Sequence, residues 1–470
     1  MLLLAFGLLP ACPGFCTGAG CDDNFPNTLL SLQSVSELPP GELDPIEQGI
    51  NLKGNASMGQ NWSVEPLGEG LLIGMPEADV LHWAPLENFP QSGNLSPGLS
   101  GTVVAEEEGD RFGAAVALLD NVSRGTGRDV LVGAPNKQGG GGRIGAGAAY
   151  LFPDIGQGFE ENINAADALV RILGEDAGDH FGETVERCGD LDGDGLSESV
   201  IAAPDHASLA PRAGRVYLLQ SSRVPDLQAQ ILAASISVQL TSGESGAQLG
   251  RAINCTDDLT GDGIPDLLLA APFEDSSLHE AAGAVHLIPG GASLESGTVA
   301  ESALWSIRGE EAEAYFGSSL AVGDLNGDGL AELVIGAPGS ALGDGSAFLF
   351  RGENLLAGDT EPSLRIASAL KGARLGYQVG VSPETSTSPS RFYVGAPRAN
   401  PSSTNSTFYS GVLYAFSNTA SESSTPSEVD TTAADFYWHT PEGYRRTGAR
   451  FSLPAGFEGS EEIVLLLGAD

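Results

Sequence analysis

The chain has 470 residues, enough for one large repetitive domain or several ordinary ones. Gly is abundant at 64 residues and Pro reaches 28, while Met numbers only 3, a composition that suits many short strands joined by turns rather than long helices. The formal charge of -40 excludes nucleic acid and anionic membrane surfaces as partners and favours solubility and cation binding.

The first element is an apolar run from Met1 to Cys12, of the length of a signal-peptide core, without the usual basic start and too short to span a bilayer. Its end, Leu9-Pro-Ala-Cys12, resembles the lipobox of bacterial lipoproteins, which implies export with a lipid on Cys12; cleavage without lipidation is the other reading. With Cys12 set aside, Cys16, Cys21, Cys188 and Cys255 form an even set that permits disulfides in an exported protein. No later segment is apolar and long enough to cross a bilayer, so membrane attachment is expected only through an N-terminal lipid.

Beyond the leader the chain repeats itself. One half of the repeat places a Gly after an apolar residue, at Gly59, Gly113, Gly182, Gly250, Gly317 and Gly376, with a weaker seventh copy at Gly448. The other half is an apolar strand ending in small residues and proline, as in Leu-Val-Gly-Ala-Pro135, Val-Ile-Ala-Ala-Pro204, Leu-Leu-Ala-Ala-Pro272 and Val-Ile-Gly-Ala-Pro338; Pro76 and Pro397 close two further copies. Two more strand-like runs fall between successive copies, so each unit carries four short strands, the content of a propeller blade. Small residues let crowded backbones approach, and Pro stops a strand because it has no amide hydrogen for the ladder.

This alternation of Phe-Gly and Gly-Ala-Pro around an Asp-rich loop resembles the FG-GAP repeats of the integrin α-subunit β-propeller and related bacterial proteins. The resemblance covers residues 46–470 and implies an all-β fold, a seven-bladed β-propeller of four-stranded antiparallel blades. The expected division is a leader over 1–12, an N-terminal segment over 13–45 and the propeller over 46–470. The seventh unit stops at Asp470, two strands short, and residues 27–34 and 49–53 are the expected source of those strands; an open ring is the alternative.

Three units carry a loop with oxygen-bearing side chains at positions one, three, five and nine and a Gly after position five. They are Asp190, Asp192, Asp194 and Glu198; Asp258, Thr260, Asp262 and Asp266; and Asp324, Asn326, Asp328 and Glu332. Hard cations take six to eight oxygen ligands, alternate loop residues point inward, and position seven offers a backbone carbonyl, from Leu196, Ile264 or Leu330. An EF-hand would need an acid at position twelve, where Ile201, Leu269 and Ile335 stand. The expectation is three Ca²⁺ sites; hairpin turns with acids on the solvated side are the competing reading. Unit two departs from the pattern, with Arg124 and Arg128 where ligands are needed, and unit six has a Ser/Thr-rich run instead.

Cys188 and Cys255 lie just before two of these loops on equivalent strands of adjacent units; a disulfide and two small buried thiols both suit that placement. None of the six His falls in a metal-ligand spacing, and no Gly-x-Ser-x-Gly elbow or His-Glu-x-x-His helix is present, so no catalytic residue is assigned. The expected function is a calcium-binding, exported adhesion module whose loop face binds a protein or glycan. A propeller hydrolase or lyase with a loop-built site, and a purely structural surface protein, are the other readings.

Overall fold

The computed structural model describes residues 70–85 and 101–435, the latter apart from 156–161, 208, 256, 292–293, 383–389, 400–410 and 418–426. Elsewhere it describes the backbone of the short strands named below. Cys12, Cys16 and Cys21, and with them the lipidation reading, lie outside the described residues.

The described strands form seven sheets, and in six of them four antiparallel strands follow one another in chain order. Ser63–Leu67, Gly70–Met75, Val80–Pro85 and Gly101–Val104 make the first sheet. Ala115–Leu119, Asp129–Ala134, Ala148–Phe152 and Val170–Leu173 make the second, and Thr184–Arg187, Ser199–Ala203, Arg215–Leu219 and Val238–Thr241 the third. The fourth is Ala252–Asn254, Leu267–Ala271, Ala284–Ile288 and Trp305–Arg308, and the fifth is Ser319–Gly323, Glu332–Ala337, Ser346–Phe350 and Leu364–Ala367. The sixth is Gln378–Ser382, Arg391–Ala396, Val412–Ser417 and Phe436–His439. The seventh draws on both ends of the chain: Ile463–Ala469 pairs antiparallel with Leu29–Val35, which pairs antiparallel with Gly49–Lys53.

The first strands of the first six sheets lie side by side in sequence order, so the sheets are arranged radially. Apolar cores fill each gap between neighbours, from Phe112 and Tyr150 between sheets one and two to Phe392 and Phe416 between five and six. The second strand of each of the first six sheets is buried over its described residues, apart from the half-buried Arg391. That is why it reads as an unbroken apolar run, every residue of Ser199–Ala203 and Leu267–Ala271 being buried.

The two halves of the repeat meet across these gaps. Among the described residues, which leave out Gly59 and Gly448, the amide of each repeat glycine that follows an apolar residue donates to its own sheet, Gly182 to the Ala202 carbonyl at 2.9 Å and Gly317 to that of Gly336 at 3.0 Å. Its Cα faces the first small residue of the preceding sheet's Pro-terminated strand. A Cβ there would stand 3.0 Å from Gly74 Cα at Gly113, 3.2 Å from Gly133 Cα at Gly182 and 2.7 Å from Ala202 Cβ at Gly250. At Gly317 it would stand 3.1 Å from Ala270 Cβ, and at Gly376 3.1 Å from Gly336 Cα. The crowding that selects small residues thus lies between sheets.

The expected four-stranded units gain a fifth strand by exchange. The segment before each outer strand runs parallel to the outer strand of the preceding sheet: Asn162–Asn164 on Gly101–Val104, Gln230–Leu232 on Val170–Leu173, Gly297–Thr298 on Val238–Thr241 and Ser427–Asp430 on Leu364–Ala367. The same stitch joins Glu42–Leu43 to Phe436–His439 and Ser92–Asn94 to Gly49–Lys53. It covers edges that would otherwise present unpaired backbone groups. The fourth sheet stays four-stranded, because the matching segment of sheet five is the short helix Gly352–Leu356.

Candidate metal centre

The three acidic loops join the first and second strands of sheets three, four and five. Because neighbouring strands are antiparallel, all three lie at one end of the sheets, and the loops that follow the Pro stops lie at the other. Position one organises each loop. Asp190 accepts from the Gly193 and Gly195 amides, both at 2.8 Å; Asp258 accepts from Gly261 at 2.6 Å and Gly263 at 2.7 Å; Asp324 accepts from Gly327 at 2.6 Å and Gly329 at 2.9 Å. Both glycines in each loop take positive φ, 77° and 91° at Gly193 and Gly195, which lets consecutive amides turn toward the carboxylate. Position five accepts from the residue two further on, Asp194 from Leu196 and Asp328 from Leu330.

In the third sheet the geometry gathers three carboxylates: oxygens of Asp190, Asp192 and Asp194 lie within 4.8 Å of one another. The other two loops replace the middle acid, by Thr260, whose hydroxyl is 3.4 Å from both Asp258 and Asp266, and by Asn326, whose amide donates to Asp328 at 2.9 Å and Glu332 at 3.1 Å. Position twelve is fully buried in all three, as Ile201, Leu269 and Ile335.

Position nine lies beneath the loop. Glu198, Asp266 and Glu332 are buried and accept from the position-two amide, Leu191 at 2.9 Å, Leu259 at 2.8 Å and Leu325 at 2.8 Å. They also bind the amide just past the third strand, at Ser221, Gly290 and Gly352. Burial pushes Glu198 up to about 7, with the Asp192 charge adding to the shift; burial likewise pushes Glu332 to about 7 and raises Asp266. Among the described residues no basic side chain pairs with any acid of the three loops. An all-oxygen donor set with uncompensated, partly buried negative charge fits a hard divalent cation, whose charge would favour the ionised carboxylates.

The second sheet shows the alternative. Asp120 occupies position one, but Arg187 Nη2 stands 2.6 Å away, Arg128 Nη2 3.8 Å, and Ser197 donates at 2.8 Å. Burial would raise the Asp120 carboxyl, but the Arg187 and Ser197 hydrogen bonds outweigh it and hold it below its ordinary value. Guanidinium groups supply there the positive charge that the other loops lack. The buried clasp survives one residue later as Asp129, fully buried, which accepts from the Ser123 amide and hydroxyl and the Asp154 amide. The extra residue hid it from the nine-residue pattern.

At the roots of two loops, Cys188 and Cys255 form a disulfide with Cα atoms 4.8 Å apart. At the opposite end, isolated aliphatic residues stand in solvent in four successive loops: Ile144 (77% exposed), Leu209 (61%), Leu278 (83%) and Leu342, which is fully exposed. Singly exposed apolar residues carry no sequence signal, and others stand at the acidic-loop end, among them Leu196 and Leu304 (61%); what sets these four apart is that they recur in the same loop of successive sheets. A polar network lies at the same end: Asp205 accepts from Arg212 Nε at 2.7 Å and Gln248 Nε2 at 2.7 Å, and stands 2.8 Å from His180 Nδ1. No described helix is long and apolar enough to cross a membrane.

Parts of the chain are similar to known proteins. The FG-GAP repeat family matches residues 252–288 and 316–350, the first to third strands of sheets four and five. Mouse integrin alpha-E is 32% identical over 184 residues, 37% of this chain and 15% of that protein. Integrin alpha-5 of Xenopus laevis is 28% identical over 43% of this chain and 19% of its own length, and human integrin alpha-7 is 35% identical over 31% and 11%. The chain thus spans less than a fifth of each of these relatives. The solved Dos1 propeller aligns with 94% of this chain and 90% of its own at a TM-score of 0.44 and 10% identity. The chain thus carries FG-GAP repeats at residues 252–288 and 316–350 and is similar over part of its length to integrin α subunits.

Proposed function

We propose that the protein is an exported, calcium-binding, seven-bladed propeller that serves as a protein-binding module. The observation that carries the binding role is the set of exposed aliphatic side chains, Ile144, Leu209, Leu278 and Leu342, presented by four successive loops at the end away from the acidic loops. Solvated aliphatic groups repeated in successive loops favour a protein partner over a glycan, because contact with an apolar surface removes them from water. The integrin relatives support the same reading.

Calcium in the loops 190–198, 258–266 and 324–332 would be held by the acids, Thr260 and Asn326, with the carbonyls of Leu196, Ile264 and Leu330. It would stiffen the hairpins and neutralise their charge. The propeller would span 46–470, with 13–45 contributing to the last blade. Ring closure is supported by the two stitches at the chain ends, Glu42–Leu43 on Phe436–His439 and Ser92–Asn94 on Gly49–Lys53. Export is supported by the buried disulfide; attachment through a lipid on Cys12 is part of the same proposal.

The test is an array of extracellular proteins and glycans probed with the purified chain and with a variant carrying Leu278→Asp and Leu342→Asp. Binding to a protein by the parent alone supports the reading. Equal binding by both, or binding to glycans only, overturns it.

A further inference from the structure

We propose that the acidic loops of sheets three and four form one coupled cation-binding unit, locked by the Cys188–Cys255 disulfide and bridged by Gly290 and Gly291, whereas the loop of sheet five binds its ion independently. This rests on the calcium reading above and adds the relation between the sites.

Four contacts tie the two loops together. Cys188 and Cys255 precede Asp190 and Asp258 by two and three residues, and their disulfide joins the ends of two first strands that belong to different sheets. One residue on, the Gly189 amide donates to the Cys255 carbonyl at 2.9 Å. Gly189 is also pressed against the ring of Pro265, the residue before the position-nine acid of loop 258–266; a Cβ at Gly189 would stand 3.0 Å from Pro265 Cβ.

The fourth contact is a bridge shared by both loops. The Gly290 amide donates to Asp266 Oδ1 at 3.0 Å, and the next amide, of Gly291, donates to the Leu191 carbonyl at 2.7 Å. A Cβ on Gly290 would stand 2.7 Å from Ile264 Cγ2 and 3.3 Å from the Leu191 carbonyl oxygen, so the dipeptide fills the space between the loops. An ion that fixes Asp266 therefore also fixes the peptide of Leu191, which lies between Asp190 and Asp192. The loss of freedom in the shared bridge is incurred once, by whichever ion arrives first, and the second site is then already ordered.

The loop of sheet five is joined differently. Its contacts run to sheet six, where the Ser390 hydroxyl donates to the Leu325 carbonyl and a Cβ on Gly323 would stand 2.8 Å from Val381 Cγ1. Toward sheet four, Leu356 of sheet five lies over Gly261, 3.1 Å from where its Cβ would be. That apolar contact holds no peptide of either loop in place.

Hydrogen exchange followed by mass spectrometry, as a function of free calcium, reads the three loops separately through peptides covering 190–198, 258–266 and 324–332. Asp258→Asn is expected to raise the calcium midpoint of 190–198 by at least about fivefold, with 324–332 unmoved. Asp190→Asn must raise the midpoint of 258–266 by the same factor, since coupling is reciprocal. Asp324→Asn should move its own loop alone, and Cys188→Ser with Cys255→Ser should weaken binding at both coupled loops. An unchanged midpoint at 190–198 in Asp258→Asn, or at 258–266 in Asp190→Asn, overturns the coupling. Calcium-dependent protection in none of the three loops overturns the calcium reading, and the coupling with it.

Discussion

Gly133 and Gly182, one from each half of the repeat, face each other across the gap between sheets two and three, where a Cβ on Gly182 would stand 3.2 Å from Gly133 Cα. A Cβ on Gly133 would overlap the Gly182 carbonyl oxygen, and one on Gly336 would overlap that of Gly376. Gly133→Ala and Gly336→Ala should therefore each cost ~3 kcal/mol or more, because backbone must move on both sides. Gly178→Ala is the control: φ is +82° but nothing stands within 4 Å, so only ~1 kcal/mol of backbone strain is expected. Urea midpoints of the three variants measure the difference.

Excess calcium should raise the unfolding temperature. A single site gains about 2.7 kcal/mol when the free ion is at 100 times its dissociation constant. Asp190→Asn and Asp324→Asn should each remove part of the calorimetric shift. Identical scans in calcium and in chelator would sink the calcium assignment.

The buried clasp should be separable from the ion. Asp129→Ala strips the Ser123 and Asp154 amides of their acceptor in a loop whose positive charge comes from arginine. A loss of ~2–4 kcal/mol is expected, with the calcium-induced rise unchanged. A variant that lost its response to calcium would show that the second-sheet loop takes part in binding.

Asp205 should make the protein sensitive to acid. Burial would raise its carboxyl, but hydrogen bonds from His180 and Arg212, with the Arg251 charge, outweigh burial and hold it well below the usual carboxylate range. A carboxyl depressed in the folded state contributes stability that is present above its unfolded value, about 3.9, and is lost as pH falls below it. Asp205→Asn should cost ~3 kcal/mol at neutral pH and flatten the stability profile below about pH 4. Parallel acid denaturation curves would refute this.

Leu342 holds φ at 61° with its side chain in solvent, so it carries the strain of a left-handed conformation without any packing in return. Leu342→Gly should be neutral or stabilising by up to ~1 kcal/mol in thermal melts, while weakening binding to a protein partner. Destabilisation would mean that the leucine packs in the folded chain.

The features legible in the chain were those written in short spans. Apolar runs closed by small residues and Pro marked the second strands, and the nine-residue spacing marked the acidic loops, since a hairpin is built by neighbours in sequence. The stitching strands were not legible: Asn162–Asn164 and Gln230–Leu232 are three residues long with only the middle side chain half-buried, too little for an alternating pattern.

By itself the sequence determined the order of the described repeats and the residues of the acidic loops, both of them set within single hairpins. The tertiary structure alone decided that Gly182 meets Gly133, that Gly290 and Gly291 bridge two loops, and that Arg187 pairs with Asp120 of the second sheet. The physical reason is that each of these contacts joins residues from different sheets or distant loops. Their separation is set by how the sheets pack against one another, which no spacing along the chain records.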